Sequence, residues 1–410
     1  MLLAVFLPFA AGYFLSYLFR TVNGPIAERL IATFALDVRS LGLLTSVYFL
    51  LFAAFQLPLG VLIDRFGPRR VQATLMGVAA LGALQFAAAQ GMLGLLIGRA
   101  LIGFGTSGAL MTGLKALNLS TPKERLAFAN GCFVMFGGLG AMASTVPVDL
   151  MLDALDWRGT FAVLAIATLA VAAWVHLVVP DTLTTTTPSG WRSAVRGVWV
   201  VYRDPAFWRL APLSSSVIGT AFALHGLWAA RWLADVDGVG SSRIVLFLLV
   251  MGGALTVGAG AIGAVADALR RRGWGSSAVF GTGCAIFLLV QTCLLARLPV
   301  PAWLVWGAMA AFGAMTVLSY SIVGELFAPE IIGRANGALN LLHLGSAFVL
   351  QSGIGAVVGL WAPDSLGRYP VAAYQVAFVV PMTLQAAALL WFALPALVRA
   401  APGVSQWGAR

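Results

Sequence analysis

Gly60-Val-Leu-Ile-Asp64-Arg65-Phe-Gly67-Pro-Arg69-Arg70 separates two long apolar runs. A degenerate copy, Gly263-Ala-Val-Ala-Asp267-Ala-Leu-Arg270-Arg271-Arg272, follows 203 residues later. Both read glycine, three apolar residues, aspartate and then a basic cluster. A second pair of signals sits at nearly the same offset. Pro122-Lys-Glu124-Arg125 leads to Ala129-Asn130-Gly131, and Pro329-Glu330 leads to Arg334-Ala335-Asn336-Gly337, with the Asn-Gly steps 206 residues apart. Two unrelated signals sharing one spacing identify a tandem repeat.

Sixty per cent of the 410 residues are hydrophobic and only 10% are charged, where a soluble chain carries about 25%. Mean hydropathy is +0.93. Apolar stretches able to cross about 30 Å of hydrocarbon recur from end to end, which predicts an all-α membrane protein. A β-barrel would instead show alternating segments of about 10 residues. The net charge of +10 does not indicate nucleic acid, because the basic residues fall in short loops without aromatic interleaving. Cys132, Cys284 and Cys293 lie inside apolar runs, so neither a disulfide framework nor a metal site is expected. There is no phosphate-binding loop and no nucleophile elbow, so no enzyme chemistry, cofactor or ATP-driven step is expected.

Twelve spans are predicted, at roughly 3–26, 40–62, 71–90, 92–117, 127–151, 159–180, 207–233, 244–266, 276–297, 300–326, 333–360 and 371–397. The one long polar interruption, Asp181 to Ala206, reads as a linker from its Thr, Pro, Ser and Gly content. The expected organisation is an N-terminal six-helix bundle (1–181), a cytoplasmic linker (182–206) and a C-terminal six-helix bundle (207–410). The first apolar run lacks a charged leader and a cleavage site, so it is read as a retained span. With both termini cytoplasmic, the inner loops hold twelve Lys and Arg residues and the outer loops hold six, which fits the positive-inside rule. Parallel repeats of this kind place a solute site between the halves, near the midplane.

Few polar residues lie within the spans, and each is a candidate for that site. Arg20 and Arg99 both sit about 8 residues inside an apolar segment, roughly 12 Å deep at 1.5 Å per residue. A guanidinium is costly in hydrocarbon and recognises carboxylate or phosphate through paired hydrogen bonds. Arg20 either binds an anion or snorkels to the outer interface; Arg99 either serves the anion or pairs helices within its half. His225 falls near the repeat equivalent of Arg20 and is expected to face it across a central cavity. As a group that titrates near neutral pH, it is also a candidate proton carrier, with hydrogen-bonded packing as the alternative. His343, one turn from Asn340, is a candidate for substrate contact or proton relay. Gln56, Tyr17, Tyr48 and Gln351 are candidate hydrogen-bonding groups of the cavity.

Residues 60–70 match the hallmark loop of the major facilitator superfamily, G-x-x-x-D-R-x-G-x-R-R, and the chain resembles that family along essentially its whole length. The degenerate copy at 263–272 and the run Glu325…Pro329-Glu330…Gly333-Arg334 reinforce the resemblance. It implies two pseudo-symmetric six-helix bundles and secondary transport. It also implies a cytoplasmic gate built on Gly60, Asp64, Arg65, Gly67 and Arg69, with Asp267, Glu124, Glu325 and Arg334 as its second-half and partner elements. Asp64 is expected to meet the start of span 11, and Asp267 the start of span 5, each carboxylate facing a positive helix end.

Within the family, the stretch from Gly12 to Arg20 and the stretch Gly98-Arg99-Ala-Leu-Ile-Gly103 resemble the first and fourth spans of organic-anion and organophosphate carriers. Arginines there serve the substrate or its coupling. Phe19 stands where proton-coupled relatives often carry aspartate, Thr106 where they often carry glutamate, and Gln56 where phosphate-ester exchangers carry lysine. The usual proton carriers are therefore absent. The sequence is read as a monomeric transporter of a small anionic metabolite in a bacterial-type inner membrane. Protons or a counter-transported anion and membrane lipid are its further partners, and nucleic acid is not one. Export of amphipathic drugs, or a transport-dead sensor or assembly partner that keeps the fold, are the alternatives.

Overall fold

The computed structural model describes residues 2–181, 191–327 and 329–400, and every regular element among them is a helix. Nine helical segments among the described residues are each long and apolar enough to cross a membrane. The stretch between the first two of these contains Val38–Ala54 and Gln56–Ala87, bent by 48°. Gln56–Ala87 breaks again at Gly67 (φ 77°, ψ 158°), a left-handed conformation that favours glycine. This break divides span 2 from span 3. Span 5 is Lys123–Ala143 continued into Val146–Val178, which breaks at Asp156 (φ 58°) to begin span 6. The Asp156 carboxylate accepts from the amides of Arg158 (2.6 Å) and Gly159 (2.9 Å), capping that helix. These breaks among the described residues are consistent with the twelve spans expected from the sequence.

Arginine bonds at both ends show how spans 3 and 6 lie. Arg69 Nε donates to the His176 carbonyl (2.9 Å), while Arg158 Nη1 donates to the carbonyls of Ala87 and Ala89 (2.8 Å each). The two helices are antiparallel neighbours. Span 4 (Met92–Thr106 and Ala109–Ser120) packs still closer against span 3. A methyl on Gly105 would strike the backbone of Leu75 and Ala79, and one on Gly103 the backbone of Tyr48. Such contacts suit a bilayer, where helices associate through close packing of small residues.

Two features depart from expectation. Span 1 continues beyond 26 as a second helix, Asn23–Phe34, after a break at Val22. Glu28 and Arg29 made this stretch look like an interface. Its buried side carries Ile26, Ala27 and Leu30, and Arg29 is neutralised by Asp153 (2.5 Å). The expected linker also contains a helix, Trp191–Tyr202, with Gly197 against the Arg334 stem and the Tyr202 hydroxyl donating to the Ala338 carbonyl (3.1 Å).

The helix interruptions themselves repeat. Val22 in span 1 corresponds to a π-helical turn, Leu224–Trp228, in span 7, between Pro205–Ala223 and Ala229–Asp235. Ser107 and Gly108 in span 4 correspond to a 3-10 turn, Ala314–Thr316, in span 10. Both pairs share the offset of the loop motifs, so the pseudo-symmetry extends into the membrane core.

Spans 2 and 11 form the tightest seam between the bundles. A Gly42 methyl would stand 3.3 Å from Gly355 Cα, and Arg39 Nη2 donates to the Gly359 carbonyl (2.8 Å). This end of the seam, the Arg39 end, is closed by backbone-to-backbone packing.

Gly105→Val should force spans 3 and 4 apart, because backbone atoms cannot yield as a side chain does. Overpacking of this kind costs roughly 1–3 kcal/mol or more. Thermal unfolding in detergent should show a clear fall in Tm. Gly253→Ala, with open space beside it, should stay within about 0.5 kcal/mol of the parent; equal effects of the two would refute the packing account.

Candidate functional site

The break in span 1 decides how the two intramembrane arginines are used. Around Val22 the helical ladder is interrupted, and side chains bond the adjacent carbonyls. Arg99 Nη1 donates to the Phe19 carbonyl (3.0 Å), and Asn23 Nδ2 donates to the Arg20 carbonyl (3.3 Å). Arg99 is fully buried, with its guanidinium over the rings of Phe86 (5.0 Å) and Phe161 (5.5 Å). All these groups belong to the first six spans. The structure therefore does not bring Arg99 and Arg20 into one pocket: Arg99 faces the interior of its own bundle.

Arg20 is different. Its guanidinium lies over Tyr17 of span 1 (4.4 Å), Phe52 of span 2 (5.1 Å) and Phe222 of span 7 (4.9 Å). Phe222 comes from the opposite half, so Arg20 sits on the seam. It is 7% exposed, its Nε has no hydrogen-bond partner, and no described carboxylate pairs with it. Cation–π contacts offset part of the cost of this burial. They leave its Nε without an acceptor, while Tyr48 supplies a side-chain hydrogen bond.

Tyr48 knits spans 1, 2 and 4 together: its hydroxyl donates to the Ser16 carbonyl (3.2 Å) and lies 3.0 Å from Thr106 Oγ1. A longer chain of bonds crosses the seam. Gln56 Nε2 reaches the carbonyls of Phe52 (3.2 Å) and Ser107 (3.3 Å), and its Oε1 accepts from Asn340 Nδ2 (2.8 Å). Asn340 Oδ1 accepts from the Tyr320 hydroxyl (3.2 Å), which lies 3.3 Å from His343 Nδ1; His343 Nε2 lies 2.8 Å from Ser214 Oγ. The single Tyr320 proton goes to Asn340, so His343 Nδ1–H donates to Tyr320, and a neutral ring then accepts from Ser214 at Nε2. Tyr320 and Ser214 were not singled out by sequence, since hydroxyls in apolar spans usually bond their own helix.

His225 sits in the π-helical turn of span 7. It lines a cavity of about 20 Å³ with Phe222, Met251, Leu255 and Met309, and its Nε2 is unpartnered. Phe222 thus covers Arg20 and also borders the His225 cavity. Gln351 is fully buried, with both amide ends unbonded.

At the other end of the seam, Asp64 Oδ1 accepts from Lys115 Nζ of span 4 (3.2 Å). The sequence reading passed over Lys115, although it stands just inside the predicted end of that span. Arg69 (3.4 Å) and Arg70 (2.9 Å) both pair with Asp181. The hydrogen bond from Arg70, aided by Arg69 and His176, holds the Asp181 carboxyl below its usual range. The motif's basic cluster thereby ties span 3 to the end of span 6. Arg65 lies over the Phe66 ring (5.2 Å), and Gly60 has open space beside it. Glu325 accepts from Ser276 Oγ (2.6 Å), and Asp267 is exposed. The side chain of Glu124, and the contacts expected at Pro329-Glu330, lie outside the described residues.

The Major Facilitator Superfamily model matches residues 9–350. The chain is 31% identical over 158 residues to the probable sulfoacetate transporter SauU of Cupriavidus necator, covering 38% of this chain and 36% of that protein. It therefore spans about a third of that relative's length. A putative metabolite transport protein of Haemophilus influenzae is 25% identical over 331 residues, 75% of this chain and 80% of that protein. Among solved structures, an inward-facing, unoccupied bacterial homolog of the human lysosomal transporter Spinster aligns with TM-score 0.74 at 18% identity, over 99% of this chain and 98% of that one. A D-xylose–proton symporter aligns with TM-score 0.70 at 16% identity, over 94% and 96%. These two show the fold alone. A multi-pass helical chain with a repeated six-span plan and a matching family model belongs to the major facilitator superfamily.

Proposed function

We propose that the protein carries a small anionic metabolite by alternating access, with Arg20 as the anchor of the anion. The observation that carries this reading is a buried guanidinium on the seam with no carboxylate partner. In a medium of low dielectric such a charge is completed by a counter-ion, and here a mobile one fits. The likeness to a sulfoacetate transporter supports an anionic solute.

Rocking requires the halves to part, and the bonds between them suit that. The Gln56–Asn340 bond joins spans 2 and 11, and a single neutral hydrogen bond contributes only about 0.5–1.5 kcal/mol. It restrains the halves without locking them. Asp64 and Lys115, with the basic loop, form the gate at the opposite end from Arg39. By the excess of basic residues, that end is cytoplasmic in a bacterial-type inner membrane, with both termini inside. Tyr17 and Phe52 shield the anion, while Tyr48, Gln56, Asn340 and His343 hold the surrounding helices in register. His225 and His343 are mid-depth side chains of a type that titrates near neutral pH, so coupling runs through histidine or is replaced by exchange or uniport.

Arg20→Gln should leave the fold intact, since no ion pair is lost. It should weaken anion-dependent thermal stabilisation and uptake in proteoliposomes by about 30-fold or more, the loss of one buried charge partner. A screen of mono- and dicarboxylates, sulfonates and phosphate esters identifies the anion to use. Undiminished uptake by this variant would sink the reading. Arg99→Gln should behave in the opposite way, lowering Tm because the Phe19 carbonyl loses its donor, about 1–3 kcal/mol. Asn340→Leu should change the rate of exchange more than the affinity, because it removes a bond between halves rather than one to the solute.

A further inference from the structure

Beside Arg20 lies a second set of unsatisfied groups. Among the described residues, Gln351 is the only side-chain amide with both its nitrogen and its oxygen buried and unbonded. Asn23 gives its Nδ2 to the Arg20 carbonyl and leaves Oδ1 unbonded. Gln351 and the Arg20 carbonyl that Asn23 holds meet at Gly226, in the π-helical turn of span 7. The three atoms nearest to where a Gly226 methyl would stand are all polar: Gln351 Oε1 (3.4 Å), the Arg20 carbonyl oxygen (3.8 Å) and Gln351 Nε2 (3.9 Å). Span 7 swells there just where span 1 is broken, and π turns of this kind are concentrated at functional sites.

We propose that Gln351 and the Arg20 carbonyl, held in place by Asn23 Nδ2, form an uncharged subsite for the far end of the transported anion, and that this end is a hydroxyl or primary amide. The assignment rests on the anion reading of Arg20 and adds the chemistry of the substrate's other end. Two oxygens, Gln351 Oε1 and the Arg20 carbonyl, face the gap, so the incoming group must donate. Gln351 Nε2 also needs an acceptor, so the group must accept as well. A carboxylate or sulfonate cannot donate, and an ammonium cannot accept and would lie near a guanidinium. A hydroxyl or amide does both. The substrate is then a singly charged anion with a neutral polar arm: the acid group meets the guanidinium, and the arm meets Gln351.

The test uses purified full-length protein and two matched series of acids. One is butanoate, 4-hydroxybutanoate, 4-aminobutanoate and succinate; the other is propionate, 3-hydroxypropionate, β-alanine and malonate. Binding is read by thermal shift and calorimetry. In the parent protein a hydroxy-acid should bind about 10-fold or more tighter than its unsubstituted partner, the worth of one well-made hydrogen bond, and tighter than the amino acid or the diacid. Gln351→Met keeps the volume and the backbone bond from Trp228 Nε1 to the Gln351 carbonyl (3.1 Å). Gly226→Ala fills the gap at ordinary contact distance. Each should bring the hydroxyl preference to about one, and Gln351→Met should not lower the ligand-free Tm. Acids that bind through Arg20 with no hydroxyl preference would overturn the subsite and leave the anion reading standing. A preference that survives both variants would also overturn it, as would a Tm loss in Gln351→Met with no change in preference, the signature of amides that hold only ordered water. If none of the acids binds, the anion reading falls and takes the subsite with it.

Discussion

The bond from Arg99 to the Phe19 carbonyl is the contact on which the centre of the molecule depends. A helix broken inside a bilayer frees backbone carbonyls, and hydrocarbon offers them no donor. Span 1 is broken at Val22, one residue past Thr21 and two past Arg20. Without a donor from span 4, the break would leave an acceptor stranded in the core of the first bundle. Arg99 supplies the donor at the cost of burying a charge, which Phe86 and Phe161 partly offset by presenting their ring faces. With the break stabilised, the turn that carries Arg20 is held against span 7.

That arrangement separates two residues that look alike in the sequence. Both are arginines at similar depth in apolar helices. Arg99 gives Nη1 to the Phe19 carbonyl and lies against rings of its own half, with Nε and Nη2 unbonded. Arg20 shares its rings between halves and leaves Nε unbonded. The repeat explains why the seam passes here: the break at Val22 and the π-helical turn around Gly226 are equivalent positions in the two bundles, and they face one another.

The fold was legible because its signals are linear. Loop motifs at one offset, apolar runs of spanning length and a basic bias between them are all read along the chain without knowing which way a side chain points. The site was legible only as a set of candidates. Successive residues on a helix point about 100° apart, so depth places Arg99, His225 and Gln351 correctly while leaving their facing undetermined. His225 and Gly226 show the difference. The histidine borders a cavity with Met251 and Met309, and the glycine beside it faces Gln351 and Arg20. Lys115 was hidden for another reason: a lone lysine near a span end reads as an interface residue until Asp64 is brought to it through the turn at Gly67. The helix at Trp191–Tyr202 was masked by the Thr-rich stretch before it.

A lone arginine also sets the terms on which the halves can rock. On the proposed reading, a bound monoanion cancels the charge of Arg20, and reorientation then carries no uncompensated charge at that residue. Empty, the same movement carries a bare guanidinium, and each elementary charge moved across the membrane potential is worth about 2.3 kcal/mol per 100 mV. A carboxylate beside Arg20 would cancel that charge in the empty state and let the unloaded carrier return. Phe19 stands in the place where relatives put one. If Arg20 anchors the proposed anion, the loaded form is the one that crosses most readily, which is the physical condition for exchange of one anion against another.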